Sequence, residues 1–168
     1  MRKVILGVAI TLDGYIEGPN GEYDWCMTDQ DYGMAEFFKR IDSMFIGRKS
    51  YDVMTAAGDS GFPSLTEYVF SRTLNYVRPG AVLIRSDVAD EVTRIKNSPG
   101  KDIWLFGGAE LFNELLRLRL VDEIWLSVHP ILLGSGKKLF APGAANVSLM
   151  LVDVTTYSTG LVSLRYAL

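Results

Sequence analysis

Apolar and polar positions along the chain switch repeatedly between two kinds of pattern. Lys3 to Ile10 is a short, nearly continuous apolar run, which predicts a strand buried on both faces. Thr11 to Thr28 is rich in Gly, Asp, Asn and Pro and predicts a long loop. Met34, Phe37, Phe38 and Ile41 then recur at helical spacing behind Asp29 or Asp31, either of which suits a helix cap. Ser43 to Ile46 predicts a second strand, broken at Gly47 and followed by a helix from Arg48 to Met54. Ala57 to Pro63 is turn-like, and Glu67 to Ser71 and Ala81 to Arg85 predict two more strands. Ser86 or Asp87 opens a polar helix that runs to about Asn97 and ends at Pro99-Gly100.

Ile103 to Phe106 predicts a fifth strand, stopped by Gly107-Gly108, with helical periodicity directly behind the two glycines. Val121 to Pro130 predicts a long strand, and Ile131 to Gly143 a loop. Ser148 to Tyr157 and Leu161 to Ala167 predict a terminal hairpin around Ser158-Thr159-Gly160. Strands alternate with helices as far as about residue 120, and only strands follow. That order predicts an α/β chain with a mostly parallel central sheet, helices on both faces and an antiparallel C-terminal edge. No repeat, linker or low-complexity stretch divides residues 1–168, so one domain is expected.

Composition narrows the functional classes. The 168 residues are 48% hydrophobic and 22% charged, a globular balance, with a net charge of -3. No basic cluster exceeds a pair such as Lys137-Lys138, so no nucleic-acid partner is expected. No apolar run approaches the ~20 residues of a bilayer span, so no membrane partner is expected either. The N-terminal apolar run ends too early, at Thr11-Leu12-Asp13, for a secretory signal. Cys26 is the single cysteine, which excludes an internal disulfide and a cysteine zinc site, and the cytoplasm is the expected compartment. His129, the single histidine, has no second His or carboxylate spaced as a metal partner and reads as a packed residue; no metal is expected. Leu149, Leu151 and Val152 make the last hairpin apolar enough for a covered edge or a homodimer contact.

The candidate chemistry sits where strands end in glycine. Ile46-Gly47-Arg48-Lys49-Ser50 and Phe106-Gly107-Gly108-Ala109-Glu110-Leu111 are both strand-to-helix junctions, and Val69-Phe70-Ser71-Arg72-Thr73 is a third strand end with an Arg beside hydroxyls. Glycine lets a bulky ligand approach the backbone, and the following helix offers unpaired N–H groups and a positive dipole end. In open α/β sheets ligands bind outside the carboxyl ends of the strands, where all three junctions belong. Arg48, Lys49 and Ser50 supply a planar fork, a point charge and a hydroxyl, a set suited to a phosphorylated ribose. The six-residue dinucleotide glycine fingerprint is absent, which argues against an ordinary Rossmann domain.

In this order the segments resemble the dihydrofolate reductase-like fold family, and most closely its branch related to the reductase domain of riboflavin biosynthesis. Ala9-Ile10-Thr11-Leu12-Asp13-Gly14-Tyr15-Ile16 resembles that branch's opening strand and Asp-Gly loop. The Gly47-Arg48 junction resembles its Gly-Arg segment, and Phe106 to Leu111 its late double-glycine turn. Pro130-Ile131-Leu132-Leu133-Gly134-Ser135-Gly136 resembles its Pro and Gly loop after the long strand. The resemblance implies a three-layer sandwich and a reductase that uses NADPH on a small heterocycle. That heterocycle would be pterin-like, folate-like, or similar to 5-amino-6-(5-phosphoribosylamino)uracil. By the same resemblance, the backbone at Ala9 and Ile16 would hold the nicotinamide carboxamide. Phe106, Gly107, Gly108, Ala109, Glu110 and Leu111 would surround the pyrophosphate. Gly47, Arg48, Lys49 and Ser50, with Ser71 and Arg72, would bind the adenosine side and its 2′-phosphate.

The acceptor side departs from the pattern. Alignment through Phe37-Phe38-Lys39 puts Met34 where dihydrofolate reductases carry a helix carboxylate. The segment around the first helix is also shorter than in the riboflavin reductases, without their phosphate-binding set. Candidate catalytic acids are Asp13, which is also an ordinary turn residue before Gly14, and Asp31, which is also a helix cap. Candidate substrate contacts are Tyr15, Trp25, Met34 and Ser127. A nucleotide-binding protein of the same fold without efficient reductase activity is the alternative.

Overall fold

The computed structural model describes residues 1–58, 62, 64–143 and 146–168. Its centre is an eight-stranded sheet. The strands of the first half are β1 (Val4–Thr11), β3 (Ile41–Gly47), β4 (Thr66–Phe70) and β5 (Val82–Ile84). Those of the second half are β6 (Asp102–Gly107), β7 (Glu123–His129), β9 (Met150–Thr156) and β10 (Val162–Ala167). Their spatial order is β5-β4-β3-β6-β1-β7-β10-β9. Every pairing from β5 across to β7 is parallel, and β10 runs antiparallel to both β7 and β9. The expected antiparallel edge is therefore the terminal hairpin.

Strand parity sorts the core into two layers. Val4, Leu6, Phe45, Ile103 and Leu105 face one side, where helices α3 (Val88–Asn97) and α4 (Ala109–Arg117) add Val92, Ile95, Phe112 and Leu115. Ile5, Met44, Ile46, Val69 and Trp104 face the other, under α1 (Met34–Arg40) and α2 (Arg48–Ala56), which add Phe37, Tyr51 and Met54. Both faces of the inner strands are thus buried, which is why they read as unbroken apolar runs. The three-layer arrangement matches the dihydrofolate reductase-like expectation.

Several local expectations are corrected. The stretch after Thr11 is not all loop: β2 (Tyr15–Glu17) pairs antiparallel with β8 (Lys137–Lys138), inside the second expected loop. Ile41 begins β3 rather than ending α1, because its side chain is needed in the sheet layer. Asp87 stands at the start of α3 but makes no capping hydrogen bond. The turn expected at Ala57 to Pro63 is seen at Ala57-Gly58, whereas positions 59–61 and 63 lie outside the described residues.

Candidate active site

Because the sheet is parallel here, β1, β3, β4, β6 and β7 all present their carboxyl ends at one edge. The chain first builds outward from β1 to β5, then returns to insert β6 between β3 and β1. Such a reversal leaves a crevice where neighbouring connections diverge. A cleft of about 620 Å³ opens there, and a second cavity of about 360 Å³ continues it. Lys49, Gly108 and Lys137 border both.

The glycine junctions form the waist between the two cavities. A side chain added at Gly108 would place its Cβ 3.0 Å from Ser50 Oγ and 4.0 Å from Lys137 Nζ, so the backbone there is bare to any ligand in the waist. Gly107 has φ 127°, a conformation that favours glycine, and the peptide joining it to Gly108 is cis. Behind them α4 begins, and its first N–H groups have no partners within the helix. The Lys49 ammonium lies 2.6 Å from the Glu110 carboxylate. That contact holds the Glu110 carboxyl below its ordinary value and the Lys49 ammonium above its own. Lys137 lies 3.6 Å from Glu17. Glu110 therefore offers an anion its backbone N–H, not its side chain.

The smaller cavity gathers the charged candidates. Gly47, Arg48, Ser71, Arg72, Glu110 and Leu111 all line it. Arg48 donates to Asp52 (2.6 Å) and to Thr73 Oγ1 (2.6 Å). The Ser71 oxygen accepts the N–H groups of Thr73 and Leu74, which shapes the turn that holds Arg72 at the rim. Arg72 is 83% exposed and only loosely paired, 3.9 Å from Glu114.

The larger cleft joins this charged end to an apolar one. Ala9 and Ile16 line it, as do Phe106, Gly107, Gly108, Ala109, Lys49 and Ser50. Met34 and Ser127, two expected substrate contacts, line it as well. Tyr23, Met27, Val53, Met54, Phe62 and Trp104 complete the apolar walls and were not anticipated. The signal for Val53 and Met54 lay in helical spacing from Lys49 and Ser50. Phe62 and the loop residues carried no pattern that assigns them to a cleft.

Four expected residues lie outside both linings, and their bonding explains why. The Asp13 carboxylate accepts the Thr11 hydroxyl (2.5 Å) and the N–H groups of Gly134 (2.8 Å) and Leu133 (3.2 Å). The Thr11 hydrogen bond in particular holds its pKa low, which suits a loop clamp and not a proton donor. Asp31 accepts the N–H groups of Met34 (2.7 Å) and Ala35 (3.2 Å), so it caps α1. Tyr15 donates to the Gly134 carbonyl at 3.3 Å, with the Lys138 ammonium 5.5 Å above its ring. Trp25 packs edge-on against His129, ring centroids 5.2 Å apart.

His129 is a packed residue, as expected. Its Nε2 accepts the Met27 N–H (3.1 Å), and its Nδ1 lies 2.9 Å from the Ser127 carbonyl oxygen. A neutral ring with its proton on Nδ1 meets both contacts. The Cys26 thiol is pushed up to about 11, first by burial and then by Asp24, so at neutral pH it is no thiolate nucleophile. No cluster of three metal-ligating side chains exists among the described residues. No helix among them is long and apolar enough to cross a membrane.

Comparison with known proteins places this cleft in a family. The family model described as the RibD C-terminal domain matches residues 2–163. The chain belongs to this family. It is 42% identical to the uncharacterized protein YyaP of Bacillus subtilis over 98% of this chain and 94% of that one. A putative riboflavin biosynthesis protein from Shewanella sp. PV-4 superposes with a TM-score of 0.86 at 25% identity, covering 99% of this chain and 98% of that one. Dihydrofolate reductase from Enterococcus faecalis, complexed with NADP(H) and RAB-propyl, shares the fold at a TM-score of 0.64 and 15% identity, over 98% and 93% of the two chains. As a member of the RibD C-terminal domain family, the protein has a dihydrofolate reductase-like fold in which the two cavities lie at the carboxyl edge of the sheet.

Proposed function

We propose that the protein is an NADPH-dependent reductase that delivers a hydride to a small heterocyclic ring, working in the cytoplasm. The observation that carries this reading is the pair of joined cavities, charged at one end and aromatic at the other, with bare glycine backbone between them. Membership of a riboflavin-pathway reductase family supports it, and so does the fold shared with a reductase bound to NADP(H). The residues fit the cofactor. Arg48 and Arg72 would hold the 2′-phosphate, since planar forks pair well with phosphate oxygens. Lys49, Lys137, Ser50 and the first N–H groups of α4 would hold the pyrophosphate. Ala9 and Ile16 would contact the nicotinamide through their backbone.

When bound, NADPH supplies a hydride, two electrons with one hydrogen, and leaves as NADP+. The second hydrogen must reach the acceptor as a proton. No carboxylate lines the apolar end among the described residues, so that proton comes from water entering at the mouth. The same observation favours a second reading, a nucleotide-binding protein of this fold without efficient reductase activity. Fluorescence titration with NADPH, followed by absorbance at the reduced-nicotinamide band across a panel of pterins, dihydrofolate and aminopyrimidines, decides between them. Failure to bind NADPH at high micromolar concentration refutes both; binding without oxidation by any acceptor leaves the second.

A further inference from the structure

Two segments supply much of the acceptor end of the cleft, and among the described residues none of their lining side chains is charged. Residues 18–38, which supply Tyr23, Met27, Tyr32, Met34 and Phe37, contain five acids (Glu22, Asp24, Asp29, Asp31 and Glu36) and no Lys, Arg or His. Residues 50–71, which supply Val53, Met54 and Phe62, also contain no basic residue, and carry Asp52, Asp59 and Glu67. The absence of bases holds for positions 59–61 and 63 as well, since it is read from the sequence.

Among the described residues, the charged side chains that line the larger cleft are Glu17, Lys49 and Lys137, grouped at the glycine waist through the Lys137–Glu17 and Lys49–Glu110 contacts. The other polar groups at the acceptor end are already committed or neutral. The Tyr32 hydroxyl donates to Asp29 at 2.6 Å, both His129 nitrogens are engaged, and the Cys26 thiol is protonated at neutral pH. What remains is a wall of rings. Phe62 and Trp104 lie 5.0 Å apart between centroids, Trp104 and Phe106 4.9 Å, and Phe37 and Trp125 5.1 Å.

Resting on the reductase reading, we infer that the acceptor is a flat, uncharged ring presented without a phosphate or carboxylate. A phosphorylated acceptor would set its anion against apolar and aromatic side chains, because among the described residues no cationic side chain lines this end. The waist and outer-cavity cations are the ones a dinucleotide's own phosphates would occupy. Removing a charged group from water without a partner is costly, whereas a conjugated ring gains both area and edge-to-face contacts here. The site thus selects against the phosphoribosyl member of the family's substrate class.

The test is binding, read by quenching of tryptophan emission in the presence of NADP+, which keeps chemistry out of the measurement. The probes are 2-methyl-1,4-naphthoquinone and a matched pair, 5-amino-6-ribosylaminouracil with and without its 5′-phosphate. The quinone is expected to bind, and the unphosphorylated uracil to bind about tenfold tighter than its phosphate, the cost of desolvating an unpaired anion. Equal or tighter binding of the phosphate overturns the inference, as does failure of both uncharged probes to bind.

A second measurement uses Val53→Lys, which puts a cation on an exposed position of the acceptor wall. It should raise affinity for the phosphorylated uracil several-fold relative to its unphosphorylated partner, with a thermal melt confirming the fold. No gain for the phosphate means that charge does not set this selectivity, and the inference falls. A parallel NADPH titration keeps the two claims apart. Loss of NADPH binding refutes the reductase reading, whereas NADPH binding with preference for the phosphate refutes only this one.

Discussion

Arg48→Ala tests the assignment of the outer cavity most directly. The guanidinium is held by Asp52 and Thr73, each 2.6 Å away, on the first turn of α2. A 2′-phosphate would take over part of that fork through charge-assisted hydrogen bonds worth about 1.5–3 kcal/mol. Two features push the expectation to the lower end. The side chain is 42% exposed, so solvent screens it, and the Asp52 carboxylate competes for the same N–H groups. Loss of about 1.5 kcal/mol corresponds to roughly a tenfold weaker Kd for NADPH. NADH lacks the phosphate and should lose no more than about twofold, the scale of an exposed charge effect. Selectivity for NADPH over NADH therefore falls by roughly fivefold to tenfold.

The assay is fluorescence titration with both nucleotides at one fixed ionic strength, since salt weakens every such contact. Asp52→Asn is the matching control. It removes the competing carboxylate and should sharpen NADPH selectivity. The fold itself is not at stake, because an exposed pair four residues apart on a helix contributes only about 0.3–0.5 kcal/mol. Equal losses for NADPH and NADH in Arg48→Ala would refute the 2′-phosphate role.

Glu67→Gln should lower stability by about 1.5–3 kcal/mol in urea unfolding, because a neutral amide replaces the carboxylate that accepts from the Arg78 guanidinium; a loss under about 0.5 kcal/mol would contradict this. Burial raises the Glu123 pKa, but Lys3 and Arg40 outweigh it and hold the carboxyl below its ordinary 4.5. A lowered folded value means that this stability is present above pH 4.5 and is lost as pH falls through the folded pKa. Glu123→Gln should therefore flatten the acid side of a stability profile, and an unchanged acid limb would exclude that contribution. His129→Ala strips the Met27 N–H of its acceptor and should loosen the cleft loop, read as faster hydrogen exchange at Met27. The edge strand β9 exposes both faces, including Met150, Leu151, Val152 and Val154. A homodimer through that strand predicts that Val152→Lys shifts sedimentation to a monomer, and a species of unaltered mass would reject the contact.

The inner sheet was legible because burial on both faces writes an apolar run, as at Val4 to Ile10 and Ile103 to Phe106. The glycine ends were legible because few residues other than glycine suit a bare, close-approach turn. Strands β2 and β8 were not, since three and two residues carry no period and exist only through their pairing with each other. Asp13 and Asp31 illustrate a different limit. A carboxylate before a turn or helix satisfies backbone N–H groups and titrates a substrate with the same chemical group, so residue type cannot separate the roles. The aromatic wall was hidden for a third reason. Trp104 and Phe106 reach the cleft through strand parity, whereas Tyr23, Met27 and Phe62 come from connections whose course the sequence does not encode as a period.

The division of the cleft into a charged and an apolar arm nonetheless has a compact origin in α2. Lys49, Ser50, Val53, Met54 and Ala57 all line the larger cleft, and their spacing is that of one helical face. The first turn of that face holds a cation and a hydroxyl at the positive end of the helix dipole, which favours an anion. One turn later, about 5.4 Å along the axis, the same face is wholly apolar. A single stripe on a nine-residue helix therefore places the phosphate-binding waist beside the ring-binding wall with no connecting loop between them. Moving a charge one turn down that stripe, as in Val53→Lys, shifts the boundary between the arms without disturbing the sheet. The specificity of such a site is set by where charge stops along one helix face.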